Sequence, residues 1–275
     1  MKALEGEINV RGLYYAYPDD QVALRGINFD FKPGTFYTIL GRNGSGKSTL
    51  ARTLNALLIP TKGKVYSCGL DTHNPSNHIR IRSTVAMVFQ DPATQIVCNT
   101  VEEEIAFGPE NLGLPPEEIK RRVEEAIRLA GVEELRTRAT TRLSLGEKQL
   151  VAIAGALAMK PSFLISDEST SMLDFEARKR VLDIFLRLKD TGTGIIHITH
   201  FLEEAGFSDF SIIMEDGKIS DFGTPQEILG NPENVLRKGL EPLIVTEIVR
   251  QLKNLGETID DNIITVGGLL AWLKN

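Results

Sequence analysis

Nine consecutive residues carry the clearest chemistry in the chain: Gly41-Arg42-Asn43-Gly44-Ser45-Gly46-Lys47-Ser48-Thr49. They fit G-x-x-x-x-G-K-[ST], the pattern of a phosphate-binding loop. Glycines at 41, 44 and 46 open backbone conformations closed to other residues, so successive N–H groups can point inward at phosphate oxygens. A helix beginning at Lys47 adds a partial positive charge at its N-terminus. Lys47 would neutralise the β- and γ-phosphates and Ser48 would ligate Mg²⁺, with Asn43, Ser45 and Thr49 completing the loop. The plain alternative is a structural glycine turn. The apolar strand 36–40 before the loop and the helical stretch after it supply the context that nucleotide binding requires.

A second group of candidates is acidic. Phe163-Leu164-Ile165-Ser166 runs directly into Asp167-Glu168. A buried parallel strand ending in two carboxylates places them at the sheet edge where ligands bind in open α/β folds. Asp167 would hold Mg²⁺ through water or Ser48, and Glu168 would polarise an attacking water. His200 closes another apolar strand and would reach the γ-phosphate from the same edge. By alternation His197 reads as a core histidine.

These groups need a framework. Strands are expected at 8–10, 23–31, 36–40, 85–89, 163–166, 194–199 and 211–214. Helices are expected at about 47–58, 117–130, 145–159, 175–189 and 201–206. An all-β start, a charged helical insert and alternating strands and helices indicate an α/β fold. A boundary falls near Gly223-Thr224-Pro225, followed by helices at about 225–230, 242–255 and 267–274.

The chain has 275 residues, 42% hydrophobic and 25% charged, with a net charge of −6. That composition excludes disorder and collagen-like structure. The acidic balance argues against a nucleic-acid binder working by bulk electrostatics. Two cysteines, Cys68 and Cys98, make no disulfide framework and have no zinc-site spacing. No apolar run of signal-peptide or membrane-spanning length is expected to place the chain through a bilayer.

Smaller motifs then fall into one order. Gln90 follows the strand 85–89, Leu143-Ser144-Leu145-Gly146-Glu147 opens a helix, and Ser171-Met172-Leu173-Asp174 follows the acidic pair. With Tyr17, the phosphate loop and His200, this order resembles the ATP-binding-cassette (ABC) ATPases over residues 5 to 225. The stretches 89–97 and 100–111, and Val151 to Met159, resemble more narrowly the ATPase subunits of energy-coupling-factor importers, including the cobalt and nickel branch. The resemblance implies a P-loop ABC fold: an antiparallel β subdomain, a helical subdomain at about 93–160, a nucleotide-binding domain over 1–225 and a helical extension over 226–275. It implies ATP and Mg²⁺ as cofactors. Tyr17 would stack on adenine, as a flat ring suits a base. Gln90 would touch Mg²⁺ or water and sense a membrane partner, and Gln95 would face that partner at the surface. Asp174 would lie at the seam with a second ATPase subunit, homologous or identical. Ser144 and Gly146 would donate backbone N–H groups to the ATP held by that second subunit.

The match is not complete. Leu145 replaces the first glycine of the usual LSGGQ signature, Glu147 its glutamine and Leu150 a following arginine; Ser169 replaces the proline after the acidic pair. A side chain at 145 crowds the place where backbone should approach the γ-phosphate. One expectation is therefore asymmetry: an intact phosphate loop with a weak signature lent to the partner. The resemblance implies an ATP-hydrolysing motor for import of a micronutrient, a metal ion such as cobalt or nickel or a vitamin, docked peripherally at the cytoplasmic face of the cell membrane. The competing reading is a soluble cassette ATPase of translation or DNA repair.

Overall fold

The computed structural model describes residues 6–260 and 262–274; residues 1–5, 261 and 275, which the expected domain bounds include, lie outside it. The chain opens with an antiparallel pair, β1 (Ile8–Ala16) and β2 (Val22–Phe31), and continues through β3 (Phe36–Leu40) into the glycine loop and α1 (Lys47–Leu54). Next come β4 (Lys62–Ser67), β5 (Leu70–Asp71), α2 (His78–Thr84) and β6 (Val85–Val88). Three helices follow: α3 (Val101–Asn111), α4 (Pro116–Ala130) and α5 (Leu145–Ala158). The chain then runs through β7 (Phe163–Asp167), α6 (Phe175–Asp190), β8 (Gly194–Ile198), β9 (Phe210–Glu215) and β10 (Lys218–Gly223). It ends in α7 (Pro225–Leu229), α8 (Pro232–Arg237), α9 (Ile244–Asn254) and α10 (Val266–Leu273).

Two sheets organise these elements. One has the order β2-β1-β4-β5 and is antiparallel; the other has the order β10-β9-β3-β8-β7-β6 and is parallel from β9 to β6. β3, β6, β7 and β8 are buried at every position. Such strands read as unbroken apolar runs because both faces are covered. Side chains still alternate between two cores: Phe163 and Ile165 face α1 and the first sheet, while Leu164 faces the layer of α3–α6. β8 alternates likewise, with Ile196 and Ile198 on the first side and Ile195 on the second.

Several details depart from the expected elements. α1 stops at Leu54, four residues short of the predicted end, because Ala56 adopts a left-handed φ of 57° and Leu57 N and Leu58 N both bond back to Arg52 O. β4 and β10 are strands the sequence pattern did not reveal. β4 is polar through Lys62-Gly63-Lys64 and owes its conformation to pairing with β1; β10 is a half-exposed edge paired with β9. The expected helix at 201–206 is a short 3₁₀ segment, Leu202–Phe207.

The C-terminal helices are joined to the nucleotide side. Leu40, the last residue before the glycine loop, shares a core with Leu202, Ile213, Leu229, Val235, Leu243 and Ile264. A smaller core of Val245, Val249, Ile259 and Leu269 holds α9 against α10. Among the described residues no helix is long and apolar enough to cross a membrane.

Candidate active site

Sheet order decides where the predicted groups meet. β3, β8, β7 and β6 are adjacent and parallel, so their C-terminal ends lie side by side, about 5 Å apart from one strand to the next. Gly41 follows β3, His200 follows β8, Asp167 ends β7 with Glu168 after it, and Gln90 follows β6. Four segments widely separated in sequence are thereby brought to one edge.

The glycine loop is shaped for an anion. Gly41, Gly44 and Gly46 have φ of 146°, 80° and 101°, and a Cβ on Gly46 would meet Ala23 O at 2.7 Å. Gly46 is also the N-cap of α1, with no side-chain cap and no acidic residue in the first turn. The free N–H groups of that turn are what a phosphate satisfies. Ser45 Oγ is buried without a hydrogen-bond partner. Lys47 Nζ donates to the carbonyls of Gly41 and Arg42 at 2.7 and 3.0 Å. Burial lowers its pKa, against the opposing pull of Glu168 and Asp167. A triphosphate beside it would favour the charged form.

Ser48 donates to Asp167 Oδ1 at 2.8 Å, which joins the helix and β7 across the sheet edge. Burial raises the Asp167 pKa, while the Ser48 hydrogen bond and Arg52 lower it. Two hard oxygen donors at this separation fit a Mg²⁺ that completes its shell with water and phosphate oxygens. Gln90, expected on the metal or water, donates to Glu168 Oε2 at 3.0 Å. His200 Nδ1 lies 3.5 Å from the same oxygen. Glu168 itself has a φ of +50°, a left-handed conformation that costs a non-glycine residue about 1–3 kcal/mol. Its amide donates to Ile198 O at 2.9 Å, and its carbonyl accepts from Ser171 N and Oγ at 3.1 and 2.8 Å. The Glu168 carboxylate lines the cleft at this sheet edge.

Most of these groups line a cleft of about 400 Å³ whose walls include Tyr17, Val22, Asn43, Lys47, Ser48, Thr49, Gln90 and Glu168, while His200 lines an adjoining cleft with Gly41, Arg42 and Asn43. Tyr17 stands half-buried at one wall, its hydroxyl 2.9 Å from Thr49 Oγ1 and its ring edge-on to Tyr15. Ser144 and Gly146 are not among these walls. Ser144 caps α5 and is exposed, and Leu145 beside it is 50% exposed. Asp174 caps α6 and is exposed as well.

One placement differs from expectation. Gln95 does not present its amide outward: Oε1 accepts from Phe89 N at 3.1 Å and Nε2 donates to Met87 O at 3.3 Å, which closes the loop containing Gln90 upon itself. Gln149, which sequence reasoning passed over, is fully buried and donates to Phe89 O at 3.1 Å, tying α5 to that loop. A glutamine inside the apolar run of α5 was the available signal. Thr170 and Glu204 were also overlooked, and Ser169 was noted only as standing in place of a proline; with Ser166 they connect to His197 behind the site, and His197 is a core histidine as alternation indicated.

Comparison with known proteins agrees with this geometry. Residues 24–171 match the family described as ABC transporter. The chain is 44% identical over 274 residues to the energy-coupling factor transporter ATP-binding protein EcfA1 of Clostridium novyi (strain NT), covering 98% of each. Among solved structures it is similar to cbiO1 from Clostridium perfringens, part of the ABC transporter complex cbiONQ, at 33% identity with a TM-score of 0.76, covering 91% of this chain and 98% of that one. It is also similar to the dimeric ATP-binding cassette MJ0796 in a post-hydrolysis state bound to ADP and Pi, at 27% identity with a TM-score of 0.74, over 79% of this chain and 98% of that one. With the phosphate loop, the paired carboxylates and the family match in one chain, the protein belongs to the ABC transporter ATPases, as an ATP-binding subunit of the energy-coupling factor type.

Proposed function

We propose that this ATPase drives an importer by opening and closing a dimer of cassettes docked on a membrane-embedded subunit. The carrying observation is the convergence of Gln90 and His200 on one oxygen of Glu168, beside the Ser48–Asp167 pair. ATP would lie on the glycine loop with its phosphates against Lys47 and the uncapped end of α1, and with adenine beside Tyr17. Ser48 and Asp167 would hold Mg²⁺, which supplies charge neutralisation on the phosphate oxygens. Glu168 orients and deprotonates the attacking water. His200 and Gln90 hold its carboxylate on the far side.

Residues 1–225 would act as the nucleotide-binding cassette, with 93–160 as its helical part, and 226–275 as an extension packed on it. The second subunit, a copy or a homologue, would meet this one across Ser144, Gly146 and Asp174, all near or at the surface. Binding of ATP across that seam favours the closed state, because only closed subunits make contacts from both sides. The membrane subunit would hold the chain at the cytoplasmic face of the cell membrane. The energy-coupling-factor type supports a micronutrient cargo, a metal ion such as cobalt or nickel or a vitamin.

The test has two arms. Calorimetry with Mg²⁺ and ATP should give measurable heat of binding at or below millimolar ligand, and none would remove the reading. Affinity purification from detergent-solubilised membranes should recover an integral membrane protein in fixed stoichiometry. Recovery of ribosomes or DNA in its place would favour a soluble cassette ATPase.

A further inference from the structure

Five buried polar side chains that the cleft does not use form one connected set behind it. The hydroxyls of Ser169 and Ser166 lie 2.6 Å apart, and Ser166 Oγ lies 2.9 Å from His197 Nδ1. His197 Nε2 lies 2.7 Å from Glu204 Oε2, and the Thr170 hydroxyl donates to that same oxygen at 3.1 Å. All five side chains are at most 2% exposed. The path starts at Ser169 and returns at Thr170, its neighbour in the chain. With a neutral imidazole, the direction that satisfies it is Ser169 to Ser166, Ser166 to His197 Nδ1, and the proton on Nε2 to Glu204. This assigns the tautomer from the partners.

The set continues forward to the reacting groups. Glu204 Oε1 has no hydrogen-bond partner and faces Arg178 Nε at 3.6 Å. The Arg178 guanidinium lies 3.7 Å from the centre of the Phe201 ring, and that ring is 4.1 Å from the ring of His200. His200 faces Glu168 Oε2. Contacts therefore run from the two residues after Glu168, through β8 and the segment beyond it, back to the carboxylate.

We propose that Ser169, His197 and Glu204 are positioning residues that hold Glu168 and His200 in register for hydrolysis. A left-handed residue persists only where its surroundings over-determine it. Glu168 is tied through its amide to β8 and through its carbonyl to Ser171; the buried set fixes the two residues between. Four linked hydrogen bonds among buried side chains, with Glu204 Oε1 left facing Arg178 Nε, make it costly to displace any one member alone. A proline at 169 has no hydroxyl and could not begin this path. The proposal rests on the reading of Glu168 as the group that activates water.

Ser169→Ala and Glu204→Gln test it in the assembled complex, with steady-state ATPase measured against ATP and affinity measured by calorimetry. The expected result is a fall in kcat of about tenfold, since small misplacements of a reacting group are costly. KM and the ATP dissociation constant should stay within about twofold, the mark of an effect confined to the transition state. Added to Glu168→Gln, Ser169→Ala should leave the residual rate unchanged, because no carboxylate remains to be positioned. An unchanged kcat in both single variants overturns the proposal. So does a loss that multiplies with Glu168→Gln, or one that follows the melting temperature with KM rising in step. Should Glu204→Gln fail to fold, Ser169→Ala, which removes a single hydroxyl, decides alone. Normal turnover in Glu168→Gln by itself would refute the role of that carboxylate and is read separately from the Ser169→Ala result.

Discussion

Ser144 and Glu147 cap each other: the Ser144 hydroxyl and amide donate to Glu147 Oε2 at 2.9 and 2.8 Å, and the Glu147 amide donates to Ser144 Oγ at 3.3 Å. These bonds to Ser144 lower the Glu147 pKa despite some desolvation, and Arg138 lies 3.4 Å from its other oxygen. The N-terminus of α5 thus already holds a negative charge of its own. A phosphate arriving from a second subunit would meet both that charge and the exposed Leu145 side chain.

Relieving this obstruction should quicken the complex. Leu145→Gly opens the backbone, and Glu147→Gln keeps an acceptor for Ser144 while removing the charge. Together they should raise steady-state ATPase by about two- to fivefold, the rate equivalent of about 0.3–1 kcal/mol at a helix N-terminus. A double variant no faster than the parent would mean that this helix end never meets a phosphate.

Glu168→Gln preserves size and the hydrogen bond from Gln90 is replaced by an amide contact. Removing the base should slow hydrolysis by about 10²–10⁴-fold. ATP binding should survive, so size-exclusion chromatography with ATP and Mg²⁺ should show more dimer than the parent does. A variant that turns over at the parent rate would assign the carboxylate another task.

Acid should loosen the helical layer in a defined window. Arg121 and Arg122 hold the Glu118 carboxyl down from its ordinary 4.5 to about 2, and Arg122 also donates to Met159 O at the end of α5. A depressed carboxylate contributes stability that is complete above its unfolded pKa and is lost as pH falls through its folded one. Urea unfolding between pH 5 and about 2 should therefore show a decline that Glu118→Gln flattens. Parallel curves for parent and variant would count against the linkage.

The C-terminal helices should matter for nucleotide as well as for folding. Leu229 is fully buried in the core it shares with Leu40, the residue before Gly41. Leu229→Ala should cost about 2–5 kcal/mol of stability, the range for such truncations. Under conditions where the variant is still folded, ATP affinity should fall too, because the wall behind the glycine loop has a hole in it. Calorimetry showing unchanged affinity would confine Leu229 to folding.

Much of the site was readable from residue order alone because its chemistry is local. The glycine loop, Lys47 and Ser48 fall within nine positions, and the acidic pair follows directly on its apolar strand. The strands β3, β7 and β8 announced themselves by being covered on both faces. What depended on distant partners was not readable. β4 becomes a strand by pairing with β1, roughly fifty residues earlier in the chain. Glu204 is a charged residue in a short 3₁₀ segment, and only the fold brings it to His197. Gln95 carried a surface expectation from the family resemblance, yet two backbone groups, Met87 O of β6 and Phe89 N, claimed its amide.

The parallel run β3-β8-β7-β6 has a consequence for how such a protein can change. Each reactive group is the last word of a different strand, so none can be adjusted by lengthening its own strand. One residue added within β8 would either push His200 out by about 3.3 Å or, with His200 held, turn every side chain before the insertion to the opposite face. Lineages descended from this architecture are free to vary the connections and the outer helices, while insertions and deletions in these four short segments are closed to them.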